Sequence, residues 1–344
     1  PELLPSVPVD VDSTLDLEVP YPSGTERFIS AVEDGTWDPE LGWLVDQLFK
    51  KAASFADDGL SDGNLSVPYG SPQFLDVGAS VGYFTLRCLE QHPRATAIAI
   101  EPQPASLYFL RRNLQLHEAH LNTNHRVTVE DQLLGSIASN SSFLFTPCAD
   151  ILDAYVLPAS TPTQDLKKWN ESFDLISEHR VTTLDELASV KPRSVWLLKI
   201  DVSGRELDVI RGGEELIRKH GVPFLLVTHS ASKLYKRSGV HVSELYESLQ
   251  EVGYSLIDTK NQISGSRRLW LESVMVKVFD SVSQIRSLSI GADIPRNSTT
   301  VLAVRTSRLV QLGLTRGHAA PSSEHRGSSS SAGYHEAYRT AYDM

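Results

Sequence analysis

Cysteine and methionine are scarce, with two of each in 344 residues. Cys88 and Cys148 are too few for a disulfide-stapled scaffold, and Cys88 falls in an apolar helical stretch where a buried thiol is expected. No apolar run approaches the roughly 18 residues a membrane span requires; the strongest is Pro223–Val227 with its neighbours. Positive charge is also in deficit, 32 Lys+Arg against 43 Asp+Glu, for a formal net charge of −11. That balance argues against a protein that coats nucleic-acid phosphates, whose affinity comes from clustered Lys and Arg. What is present, 41% hydrophobic residues, supplies a sizeable core.

Residues 1–36 are rich in Pro, Asp and Ser and read as an extended N-terminal arm. A helix is expected from Trp37-Asp38-Pro39, where Pro39 suits the first helical position, because Leu41, Leu44, Val45, Leu48, Phe49 and Ala52 recur at helical spacing. Short apolar runs then alternate with helical stretches, the pattern of an α/β protein with a mainly parallel sheet. The expected strands are Phe74–Val77, Ala97–Ile100, Arg126–Val129, Val195–Ile200, Phe224–Thr228, Tyr254–Asp258 and Thr300–Val304. Helices are expected at Tyr83–Gln91, Ala105–Leu116, Arg205–His220 and His241–Val252, with a loop over 230–240. Residues 136–187 read as a small β insertion, Arg268–Phe279 as a further strand or ribbon, and 306–344 as a disordered Gly/Ser/His-rich tail. One domain over 37–305 between two extensions replaces the two domains that length alone suggests.

The most informative segment is Phe74-Leu-Asp76-Val-Gly78-Ala-Ser80-Val-Gly82-Tyr-Phe-Thr85. A buried strand ends in an acidic residue, and a glycine loop opens a helix. Gly78 and Gly82 allow a sharp turn and close approach to a ligand. Dinucleotide enzymes use G-x-G-x-x-G, whereas this loop lacks one glycine and is led by a carboxylate that suits a cationic aminoacyl group better than a diphosphate. The next strand ends in Glu101-Pro102, where an acidic residue can accept from both hydroxyls of a ribose. Together these features describe S-adenosylmethionine better than a nicotinamide dinucleotide.

Four segments resemble the FkbM family of class I methyltransferases, in the family's order: Phe74–Thr85, Glu101–Pro104 with Arg112-Asn113-Leu114, Val181–Leu187, and Leu197–Leu207 with its Lys199-Ile-Asp201-Val-x-Gly204-x-Glu206 block. The resemblance implies a Rossmann-like sheet of seven strands with the last antiparallel, S-adenosylmethionine as donor, and a hydroxyl acceptor on a glycan or small metabolite. Carried over by position, Asp76, Gly78, Ala79, Ser80, Gly82, Tyr83 and Glu101 fall at the donor site. Asp131 falls near the adenine, although the flanking Gln132–Gly135 matches poorly. The sequence departs from the family at Ser203 and at Val227 and Thr228, where the family has carboxylates, and at Ser80, where it has Asn.

Methyl transfer to a hydroxyl is an in-line displacement in which the acceptor oxygen sheds its proton. Asp201, Glu206 and His229 are expected at strand ends facing one crevice. His229 is the expected base, because imidazole accepts a proton near neutral pH, with Asp201 orienting the acceptor and Lys199 beside it. No spacing requires a metal ion. The basic stretch Lys233–Arg237 sits where it can meet an anionic acceptor or simply be solvated. Two other readings stay open: a cofactor-binding module of the same fold without turnover, and a nicotinamide enzyme. Four N-x-[ST] sequences, at Asn64, Asn140, Asn170 and Asn297, leave the secretory lumen and the cytoplasm equally open as compartments. The sequence starts at Pro1, and a removed leader is compatible with it.

Overall fold

The computed structural model describes residues 6–12, 15–20, 39–57, 71–147, 154–158, 173–187, 190, 195–258 and 299–306. The ribbon expected at Arg268–Phe279, the tail beyond 306, Cys148 and the sequons at Asn64, Asn170 and Asn297 lie outside the described residues.

In chain order, β1 (Ser6–Asp12) and β2 (Leu15–Pro20) precede α1 (Pro39–Asp57), β3 (Gln73–Val77), α2 (Tyr83–Gln91), β4 (Thr96–Ile100) and α3 (Pro104–Leu116). Two short helical turns, α4 (Glu118–Leu121) and α5 (Thr123–Arg126), lead to β5 (Val127–Glu130), β6 (Leu133–Leu134), β7 (Ser139–Pro147), β8 (Tyr155–Pro158) and β9 (Phe173–Thr182). The chain returns through β10 (Val195–Ile200), α6 (Glu206–Gly212), β11 (Phe224–His229), α7 (Ala231–Ser238), α8 (Val242–Glu251), β12 (Tyr254–Asp258) and β13 (Thr299–Arg305).

All seven strands expected for the main sheet are present, in the order β12-β13-β11-β10-β3-β4-β5. Only β13 runs antiparallel, paired on both sides with β11 and β12. Strand order reverses between β3 and β10, which pair in parallel, so the loops after these two strands diverge and open a crevice at their carboxyl ends. The main sheet is apolar on both faces, as a covered parallel sheet requires. One face packs against α1, α2 and α3, the other against α6, α7 and α8. The Trp196 indole N–H donates to the Leu48 carbonyl at 3.0 Å and fastens α1 to the centre of the sheet.

The second sheet, in the order β6-β9-β7-β8, is built by the segment between β5 and β10. Three local features differ from the sequence expectation. Part of the N-terminal arm is a β1–β2 hairpin whose Leu17 is buried in the core, and the alternation of Leu15, Leu17 and Val19 is its signal. The helix expected over Arg205–His220 breaks after α6 and resumes as a wider π-type turn at Glu215–His220. Gly212 and Gly213 weaken the helix there, and a Cβ on Gly212 would lie 2.1 Å from the Gly135 carbonyl oxygen, so only glycine lets the second sheet approach. Within the expected 230–240 loop stands α7, capped by the Ser230 side chain and ended by Gly239 at φ 71°.

Candidate active site

The loop after β3 is wound by left-handed residues, Gly78 at φ 77°, Ser80 at 51° and Gly82 at 96°. The Gly78 and Ala79 amides both donate to the Ile100 carbonyl, at 3.0 and 3.1 Å, which ties this loop to the end of β4. A Cβ on Gly78 would sit 1.9 Å from the Asp201 carbonyl oxygen, so the loops after β3 and β10 touch through a position only glycine can fill. The loop after β10 also turns left-handed, with Ser203 at φ 55° and Gly204 at 99°.

Above these loops lies a cleft whose empty space, open solvent included, is about 620 Å³. Its floor is Val77, Gly78, Ile100 and Glu101. Asp201, Ser203 and Arg205 form one wall; Gln132, Leu133 and Leu134 form another, continued by Ala154 and Val156 beside β8.

The Glu101 carboxylate accepts from the Ser80 amide at 2.8 Å and the Gln103 amide at 2.9 Å. Burial pushes its pKa up to about 7, against the opposing pull of those amides and of Lys199. Asp76, by contrast, is fully buried beneath the cleft. Its Oδ1 accepts from Lys199 Nζ at 2.9 Å and its Oδ2 from the Thr85 hydroxyl at 2.7 Å. Lys199 Nζ also donates to the Gly78 carbonyl at 3.1 Å. Burial alone would depress this ammonium, but the charges of Asp76 and Asp201 hold it above the ordinary lysine value.

The expected donor residues thus separate. Gly78 and Glu101 line the cleft; Ala79, Ser80 and Gly82 shape its loop; Asp76 and Lys199 lie under it as a buried ion pair. Tyr83 is buried against Phe84 and accepts from Arg87 on the α1 side. Asp131 is exposed, 3.7 Å from Arg111, while its neighbour Gln132 faces the cleft.

Of the expected acceptor-side residues, Asp201 alone is on the cleft wall. Glu206 is buried behind it, where Oε1 accepts from the Gly204 amide at 2.8 Å. Burial, aided by the charge of Asp201, raises the Glu206 carboxyl to about 7. His229 is buried at the end of β11, with Nε2 2.8 Å from the Tyr246 hydroxyl of α8. Sequence reasoning missed Tyr246, the Leu133-Leu134 wall and the Ala154 and Val156 wall. The first had no local signal, and the second stood in a segment that matched poorly.

A seven-stranded sheet of this order, with a cleft at the reversal between its first and fourth strands and an acidic residue ending the second, defines a class I methyltransferase fold. The family model for the methyltransferase FkbM domain matches residues 76–256, more than half of the 344 residues. The chain belongs to this family, and S-adenosylmethionine is the cofactor that membership implies.

Methyltransferase 1 of Beauveria bassiana is 28% identical over 158 residues, 42% of this chain and 60% of that protein. The 2-O-methyltransferase NoeI of Sinorhizobium fredii is 27% identical over 184 residues, 48% of this chain and 66% of that protein. The matched region therefore spans less than two thirds of either relative. A solved structure, methyltransferase FkbM from Methylobacillus flagellatus, is 14% identical with a TM-score of 0.40, covering 68% of this chain and 44% of that one.

The cleft residues fit the donor. Gly78 lines the cleft where the loops after β3 and β10 touch, and the buried Glu101 carboxylate can accept ribose hydroxyls through its remaining lone pairs. Among the described residues, no group of three or more His, Cys, Asp or Glu side chains is arranged to hold a metal ion.

Proposed function

We propose that this chain is an S-adenosylmethionine-dependent O-methyltransferase whose acceptor is a hydroxyl of a glycan or small metabolite. The observation that carries this reading is the meeting of Glu101, Gly78 and Asp201 in one cleft. The 2-O-methyltransferase name of the relative NoeI supports a hydroxyl acceptor.

When bound, the donor supplies an electrophilic methyl group on a sulfonium. The protein must then hold the acceptor oxygen about 3 Å from that carbon and give its proton a place to go. Glu101 anchors the ribose, and the Gly78 loop takes the aminoacyl end. Asp201, on the opposite wall, is the cleft carboxylate placed to accept the acceptor's proton. His229 stands behind the wall, where its bond to Tyr246 fixes the ring orientation and suits it to a supporting role.

A specific observation favours a second reading, a binding module without turnover. Ser203 occupies the wall where the family has a carboxylate. Val227 is sealed within β11, and the Thr228 hydroxyl bonds to Thr300 at 3.0 Å, so neither replaces the missing charge.

The test is calorimetry with S-adenosylhomocysteine followed by turnover against a panel of oligosaccharides and small alcohols. Binding with methyl transfer to oxygen is expected. Asp201→Asn should lower kcat by about a hundredfold or more with donor affinity retained, and His229→Ala should lower it less. No donor binding sinks both readings, and binding without turnover on any acceptor selects the second. Transfer to nitrogen or carbon overturns the hydroxyl assignment.

A further inference from the structure

The loop that carries Asp201 is braced from behind by α7. A Cβ on Gly204 would lie 2.6 Å from the Lys233 carbonyl oxygen, so loop backbone rests directly on helix backbone. Beyond that contact, Arg237 Nη1 donates to the Ser203 carbonyl at 2.7 Å and reaches the Ala154 carbonyl at 3.4 Å. Ser203 and Ala154 are both cleft walls, one from the main sheet's loop and the other from the second sheet. Ser203 also holds a left-handed φ of 55°, which a non-glycine residue keeps only where its surroundings enforce it.

We propose that Arg237 is a positioning residue for the donor pocket: its guanidinium fastens the second sheet's wall to the loop bearing Asp201, and so sets the width of the cleft. These two bonds aim Arg237 at main-chain carbonyls inside the fold, which distinguishes it from a solvated residue of a basic stretch. Both bonds leave one nitrogen, Nη1, whose two hydrogens point in directions fixed by the guanidinium plane, whereas an ammonium is a compact point charge on a flexible stem. The inference rests on the cleft being the donor pocket.

The experiment compares wild type, Arg237→Gln, Arg237→Lys and Arg305→Gln by calorimetry with S-adenosylhomocysteine and by thermal melting. Arg305 is a matched control, because it too donates to two carbonyls, those of Ile217 and Arg218, both 2.7 Å away, on a helical turn that takes no part in the cleft. Arg237→Gln should weaken ligand binding about tenfold, the loss of one charged hydrogen bond, and Arg237→Lys should recover part of it. Arg305→Gln should bind as wild type does despite a lowered melting temperature. Equal affinity in wild type and Arg237→Gln overturns the inference and leaves the donor reading standing; a wild type that binds no ligand overturns both.

Hydrogen exchange on wild type gives a second measure that needs no variant. Ligand binding should protect the amides of 154–157 and 202–206 together, and protection confined to 202–206 also overturns the inference.

Discussion

At the scale of single residues, the cleft depends on positions where chemistry and backbone geometry leave one choice. Gly78 is the sharpest case, combining φ 77° with a Cβ position 1.9 Å from the Asp201 carbonyl oxygen. Gly78→Ala should force the two loops apart and weaken S-adenosylhomocysteine binding by about a hundredfold or more, as read by calorimetry. Glu101 and Glu206 make a prediction in pH. Burial raises both carboxyls from an ordinary 4.5 to about 7. Each therefore binds its proton more tightly folded than unfolded, so its contribution to stability is complete below about 4.5 and is lost as pH rises through 7. The ligand-free protein should melt at a lower temperature at pH 8 than at pH 5, and Glu101→Gln should flatten that slope. A variant profile parallel to wild type would exclude Glu101 as the source. The glycine loop and Glu101 were legible in the sequence because each constraint is local, an acid or a glycine at a strand end. The partner of Asp76 was not, since Lys199 lies 123 positions away and only strand pairing brings it there. The pair is buried and is not part of the cleft lining.

At the scale of elements, periodicity served where one face is buried and failed where short capped pieces stand between strands. The main-sheet strands announced themselves as apolar runs. The short α7 did not, because its basic residues mask a pattern in which Leu234 is the residue sealed inside. Its real signature is at the ends, Ser230 before it and Gly239 after it. Ser230→Ala should cost about 1 kcal/mol of stability, measured by urea denaturation. Because α7 braces the Asp201 loop, the same variant should weaken donor binding slightly, and a Ser230→Asp variant, which keeps a capping oxygen, should not. The break between α6 and the turn that follows was invisible for a different reason. Two glycines in a helical stretch read as a mild weakening, and the neighbours that crowd them, the Gly135 carbonyl at Gly212 and the Leu184 side chain at Gly213, are far off in sequence.

For the whole molecule, the controlling feature is the place of β13. It enters between β11 and β12 after the chain has left the sheet at Asp258, and it pairs with β11 from Thr299 and with β12 from Val301. A chain cut after residue 298 should therefore present two long unpaired strand edges, a template for association, and should collect in the insoluble fraction or elute as large species by size exclusion. A soluble monomer would show that the sheet is stable without its closing strand. The arrangement also orders events during synthesis. Every described residue that lines the cleft lies between Val77 and Arg205, so the donor site can take shape on the ribosome while β11 still waits for its partner. Sealing by β13 comes last and must bridge a long stretch of chain, the kind of non-local pairing that makes folding slow. The segments that line the cleft are all synthesised before β13, and a ligand that binds the folded cleft stabilises the completed fold by mass action.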